Sequence, residues 1–255
     1  MSCHRPIRCL LTLLCCVQTL GCADTGGESE LLITDDLVAK VSRGSLMLGT
    51  LAAELALNIS APPGPAACPG GSLDQDELSL NYGGGCLSDT GLSDTGLSGA
   101  VSLTLAGGSG VFVGDINSLG FPDLPVLGSV SGQVSRAGSL VTADIEFSSL
   151  TWTDNGLDNT WNGLFEITID DDDILMNVAS GSMLRGGAPE FEVDLQDIVP
   201  APTSLGACWV PEQGQMILER EGANATLSYS EVAHATGQVP VLYGSEDSVA
   251  LNPCS

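Results

Sequence analysis

From Leu78 onward, apolar side chains recur at every second position. Leu78, Leu80 and Tyr82 share one parity, as do Val101, Leu103 and Leu105. Phe191, Val193 and Leu195 do the same, with Glu190, Glu192 and Asp194 between them. An extended chain sends successive side chains to opposite faces, so this period predicts half-buried antiparallel strands with one dry face and one wet one. In ADIEFSSLTW the phase slips: Ile145 and Phe147 hold one parity, Leu150 and Trp152 the other. An extra residue at Ser148 or Ser149, a β-bulge, accounts for the slip. Further strands read near Val111, Val130 and Leu140, at Leu164 to Ile169, Ile174 to Val178 and Met216 to Glu219. Others read at Thr226 to Ser230, Val239 to Tyr243 and Val249 to Leu251. Roughly a dozen short strands with turn-rich connections predict sequential hairpins. The fold class is therefore all-β, a meandering antiparallel sheet over residues 58–255, with rolled open sheet, barrel and sandwich all open.

One segment departs from this period. Between 35 and 57, Leu37, Val41, Leu48, Leu51 and Leu55 fall at helical spacing, and Thr34, Asp35 and Asp36 suit a helix start. One N-terminal helix is expected, weakened by Gly44 and Gly49. The sequence APPGPAACPGG then ends it. With 43% hydrophobic residues the chain can build a core in spite of its charge.

The amino terminus reads as an address. Arg5 and Arg8 precede an apolar run from Cys9 to Val17, the pattern of a secretory signal over residues 1–21. Thr19-Leu20-Gly21-Cys22 resembles the lipobox of bacterial lipoproteins, in which the cysteine is acylated and becomes the first residue. Thr19 departs from that pattern, where Leu is preferred. The expected location is the bacterial cell envelope, on an outer-membrane lipid anchor at Cys22; the alternative is a soluble secreted protein. Residues 22–34 would form a polar tether. Beyond Cys22 four cysteines remain, Cys68, Cys86, Cys208 and Cys254. An oxidising compartment would pair them. Of three connectivities, Cys68 with Cys86 and Cys208 with Cys254 is expected, since each pair brackets one compact run of strand and turn signals. No CxxC spacing supports zinc.

Seven basic against 32 acidic residues give a net charge of −25, which repels phosphate backbones and excludes nucleic acid as a natural partner. Cations are the matching small partners. The densest charge is Asp170, Asp171, Asp172 and Asp173 in ITIDDDDILM, placed where a hairpin must turn. Ca²⁺ takes six to eight oxygen ligands, so a calcium site there would need a neighbouring loop such as Asp154 to Asp158; a solvated turn is the competing reading. DNTWNG imitates the start of an EF-hand loop, but Ile169 stands at its twelfth position. Asn162-Gly163 reads instead as a tight hairpin turn.

No catalytic constellation emerges, and a non-enzymatic role is expected. His234 is the one histidine beyond the signal, and no GxSxG elbow accompanies it. Three tryptophans are few for the sugar platforms of a glycosidase. The sequons at Asn58 and Asn224 carry no meaning in a bacterial lipoprotein.

CPGGSLDQDELSLNYGGGC followed by GLSGAVSLTLAG resembles a pattern in uncharacterised exported bacterial lipoproteins. ADIEFSSLTWTDNGLDNTWNGLFEITID and CWVPEQGQMILE are similar to later parts of the same group. The resemblance implies an envelope location and a large antiparallel sheet, favours the Cys68 to Cys86 bridge, and implies no reaction. It also places the repeat LSDTGLSDTGLSG, residues 87–99, in a loop; two and a half units are too few for a solenoid coil. The expected role is structural or adhesive at the cell surface, toward a protein or polysaccharide, with a calcium-assisted binding module as the alternative.

Overall fold

A computed structural model describes residues 33–86, 97–106, 110–121, 124–171, 173–186, 190–200, 210–244 and 249–251. The chain forms helix α1 (Asp35–Ser60) and then strands β1 (Gly70–Asp74), β2 (Glu77–Cys86), β3 (Leu97–Leu105), β4 (Val111–Phe121) and β5 (Leu124–Ala137). Next come β6 (Leu140–Asp154), β7 (Leu157–Asp170), β8 (Asp173–Arg185), β9 (Phe191–Val199), β10 (Gln213–Arg220) and β11 (Ala223–Tyr229). A short helix α2 (Glu231–Thr236) precedes β12 (Val239–Tyr243) and β13 (Val249–Leu251). All thirteen strands belong to one sheet whose spatial order is the sequence order. A single sheet rules out the sandwich. Among the described residues β1 and β13 do not pair with each other.

Two-residue turns make the meander. Pairs such as Asp74↔Glu77, Asp154↔Leu157 and Arg220↔Ala223 close hairpins with positive φ at Gln75, Asn155 and Glu221. Such turns match the right-handed twist of the strands they join. The asparagine-glycine turn between β6 and β7 is Asn155-Gly156. Asn162-Gly163, expected to turn, instead lies inside β7, where Gly163 faces Gly181 of β8. Two such dipeptides stand seven residues apart, and only the first meets matching apolar parity on both flanks.

The helix is the centre of the molecule. Every residue from Gly44 to Ala56 is buried. An α-helix turns fully in about 3.6 residues, so no single face can cover such a run; the sheet must roll around it. The contacts trace that roll. On the middle strands, Trp152 of β6 and Met183 of β8 lie 3.0 and 3.1 Å from where a Cβ of Gly44 would stand. Met176 of β8 and Phe165 of β7 crowd the corresponding place at Gly49, at 3.0 and 3.3 Å. The two glycines thus do not break the helix; they are where the largest wall side chains fit. On the flanks, the three tyrosines of the chain reach inward. Asn58 Nδ2 donates to Tyr82 Oη of β2 at 3.3 Å, and Ser42 Oγ and Tyr229 Oη of β11 are 2.9 Å apart. Tyr243 Oη of β12 donates to the Asp35 carboxylate.

Three buried polar side chains of the helix also bond along the helix itself. Ser45, Thr50 and Asn58 donate to the carbonyls of Val41, Leu46 and Glu54. Thr34 caps the start, its hydroxyl accepting from Leu37 N, and Ile33 is already buried, so the fold begins within the span read as tether. The helix runs three residues past its expected end, to Ser60. Helix α2 was not foreseen: six residues with one buried side chain carry almost no periodic signal.

Bulges bend the wall. Ser149 is the extra residue of β6, with φ of 52°, where the parity slip placed it. Ser118 in β4 and Asp197 in β9 take the same left-handed conformation, with φ of 55° and 51°. Each needs help from a neighbour. Asn162 Oδ1 accepts from Ser149 N and Asn177 Oδ1 from Asp197 N, both at 2.7 Å. The carbonyls of Ser118 and Asp197 occupy the space of a side chain at Gly99 and Gly214, which have φ of 109° and 116°. Such bulges raise local twist and let a broad sheet curl.

Candidate functional site

With the interior occupied by α1, the outward side chains carry what the molecule can present to partners. The rows run across the strands. Ser72, Ser79, Ser102, Asp115, Ser129 and Ser148 stand opposite one another in succession from β1 to β6, all exposed. Farther along the sheet the rows turn acidic. Asp144 directly opposes Glu166, and Glu192 directly opposes Glu219. Like charges directly opposite are destabilising, so these pairs cost the fold stability. Among the described residues, no helix is long and apolar enough to cross a membrane.

A concavity interrupts this face on the middle strands. A groove of about 730 Å³ lies over β6 to β10, lined by Glu146, Asn162, Ser180, Ser182, Glu192, Asp194, Ile217 and Glu219, with backbone of Gly163, Gly181 and Val193 as its floor. The glycines are required from beneath, because a Cβ at Gly181 would stand 2.6 Å from the buried Trp161 ring. Trp161 stacks on Phe165 at 5.5 Å, and Phe165 meets Phe147 edge-on at 5.7 Å. Three groove side chains are held from outside it, Glu146 accepting from Ser131 at 3.4 Å. Asn162 is fixed through its Oδ1 by the Ser149 bulge, and Gln196 Nε2 donates to Asp194 at 2.7 Å. No sequence signal pointed to this site, since five successive strands each supply only one to three residues to it, at ordinary alternating positions.

The residues singled out in the sequence are placed as follows. Asp170 and Asp173 close the β7–β8 hairpin and Asp171, φ 53°, is in its turn, as the charge pattern required; Asp172 lies outside the described residues. Asp154 and Asp158 stand at the other end of β7, which at about 3.3 Å per residue is on the order of 40 Å away. The proposed joint calcium set is therefore not assembled. Three of the acids have local partners instead: Asp170 accepts from Ser139 at 2.9 Å, Asp158 from Thr153 at 2.9 Å, and Asp154 pairs with the buried Arg185 at 3.3 Å. Arg185 also donates to the buried Asn159 at 2.7 Å. Among the described residues no three His, Cys, Asp or Glu side chains are grouped to hold a metal ion.

Cys68 is disulfide-bonded and follows the Pro-rich stretch into β1. The side chain of Cys86, and all of Cys22, Cys208 and Cys254, lie outside the described residues, as does most of the LSDTG repeat. His234 sits in the last turn of α2, where its Nδ1 donates to the Val210 carbonyl at 2.6 Å and its Nε2 is 3.9 Å from Glu212. Its ring ties α2 to the approach of β10. Asn58 of the first sequon is buried against Tyr82.

Burial pushes the Tyr229 phenol above its ordinary range, against a smaller opposing effect of Ser42; burial and then the Asp35 carboxylate raise Tyr243. A raised phenol stabilises the fold fully below the unfolded value near 10 and loses that contribution as pH climbs through the folded value. Urea midpoints should hold to about pH 9.5 and fall steeply above it. Tyr229→Phe should flatten that fall; an unchanged alkaline limb would show that this phenol does not set it.

Comparison with family models, with curated proteins and with solved structures finds no match for the chain.

Proposed function

We propose that the chain is a lipid-anchored protein of the bacterial cell envelope, held in the outer membrane through Cys22, with a non-enzymatic structural or adhesive role. The observation that carries this reading is the division of the fold. The interior is filled by α1, and the outward face presents carboxylates and hydroxyls in cross-strand rows. A signal segment with a lipobox-like end supplies the address. The cysteine pairing that goes with export is Cys68 to Cys86 and Cys208 to Cys254, and the β1–β2 hairpin favours the first by carrying residues 68 and 86 on the same end. Mass analysis of the unreduced, exported protein tests both at once. It should find acyl chains on Cys22 as first residue and the two cross-linked peptide pairs. A mature chain without acyl mass at Cys22 would replace the anchor by soluble secretion.

A second reading, a calcium-assisted module binding a polysaccharide or protein, is favoured by one observation, the directly opposed Asp144–Glu166 and Glu192–Glu219 pairs. Divalent cations relieve such opposition. The β7–β8 turn separates specific binding from screening. Asp171→Asn should leave the melting temperature equal or slightly higher with or without calcium. A loss confined to calcium-containing buffer would make that turn a calcium ligand and advance this reading.

A further inference from the structure

We propose that the groove over β6 to β10 binds a hydroxyl-rich glycan segment. The inference rests on the reading of the chain as an adhesive envelope protein and gives that reading its ligand and place. The volume, about 730 Å³, lies within the roughly 300–1,000 Å³ of small-ligand clefts. Its chemistry alternates. Glu146, Glu192, Asp194 and Glu219 accept only, whereas Asn162 Nδ2 donates and the Ser180 and Ser182 hydroxyls do both. A sugar hydroxyl donates and accepts at once, so it satisfies both kinds of wall; a basic peptide would use the acceptors and leave the amide donors idle. No Lys or Arg lines the groove, which excludes phosphorylated or uronic-acid sugars and admits neutral and amino sugars. Ile217 supplies an apolar strip for a sugar's C–H face.

The groove is also built in advance. Asn162 has its oxygen engaged by Ser149 N at 2.7 Å, which fixes the amide plane and leaves Nδ2 as the end of the amide that donates. Gln196 holds Asp194 from outside at 2.7 Å. Both groups stand on strands, and their orientation is settled before any ligand arrives, which lowers the entropy cost of binding.

The test is an amide NMR titration of the full mature chain with a glucose tetramer and a glucosamine tetramer. Shifts are expected at the Asn162 side chain and the amides of Ser180 to Ser182, Glu192 to Asp194 and Ile217 to Glu219, with a dissociation constant of about a millimolar. Asn162→Asp separates groove from fold: a carboxylate still accepts from Ser149 N but has no donor. This variant should keep its melting temperature and bind about tenfold more weakly. Absence of shifts with both tetramers, shifts elsewhere on the sheet, or equal binding by the variant would overturn the proposal. An oligolysine that moves the same resonances while the sugars do not would assign the groove to polycations and overturn it too. Acyl mass on Cys22 with no glycan shifts would fail the groove alone, whereas glycan shifts in a chain lacking the anchor would fail the anchor alone.

Discussion

Aspartate placed in turn at Thr50, Leu51, Ala52 and Ala53 of α1 is expected to destabilise the fold at every one of the four positions. These residues span a full helical turn and each is fully buried. A helix lying on one side of a sheet would tolerate the charge at one or two of them, pointing it to water. Here each direction meets wall. An uncompensated buried carboxylate costs about 3 to 5 kcal/mol, or else takes up a proton at comparable expense. For a chain of this size that lowers the melting temperature by roughly 10 °C or more. Thermal and urea denaturation of the four variants checks it, and one variant with wild-type stability would show that the sheet leaves a side of the helix open.

The second large effect is expected at Gly99. Its φ of 109° already disfavours any side chain, and a Cβ there would stand 2.1 Å from the Ser118 carbonyl oxygen, a backbone atom held by its own bulge. Neither partner can yield without disturbing the pairing of β3 with β4. Gly99→Ala should therefore cost about 3 kcal/mol or more, the conformational penalty and the collision adding. Gly138 is the control. It has φ of 71° but nothing within 4 Å of its missing side chain, so Gly138→Ala should cost only about 1 kcal/mol. Equal losses at both sites would mean that dihedral preference alone, not the approach of β4, makes Gly99 indispensable.

The strands were legible because their signal is local. Leu78, Leu80 and Tyr82 reveal their shared face from three positions, and the slip between Phe147 and Leu150 located a bulge to within a residue. Where the helix would sit was not legible. Its apolar spacing suggests one buried stripe, yet Ala52, Ala53, Ser45 and Thr50 between the leucines are buried as well. Small and weakly polar residues read as a tolerable surface, and only the sheet's roll makes them interior. Asn162-Gly163 misled for a related reason. A dipeptide that tolerates positive φ also suits a strand that must pass over Trp161 and hold a neighbour's bulge, and the choice depends on β6 and β8 rather than on β7. The acidic turn was read correctly from its charge, but its supposed partners lie at the far end of the same strand because distance in a β meander grows with strand length. The groove was invisible for the opposite reason, being assembled from strands that share no local pattern.

The enclosed helix has a mechanical consequence. The chain enters it at Asp35, directly after the segment that would lead to a membrane anchor. Tension applied from that side loads α1 lengthwise inside its sleeve, so the packing around Gly44 and Gly49 and the three tyrosine contacts resist together, in shear. A load entering at the amino end is thus shared at once by contacts on β2, β6, β7, β8, β11 and β12.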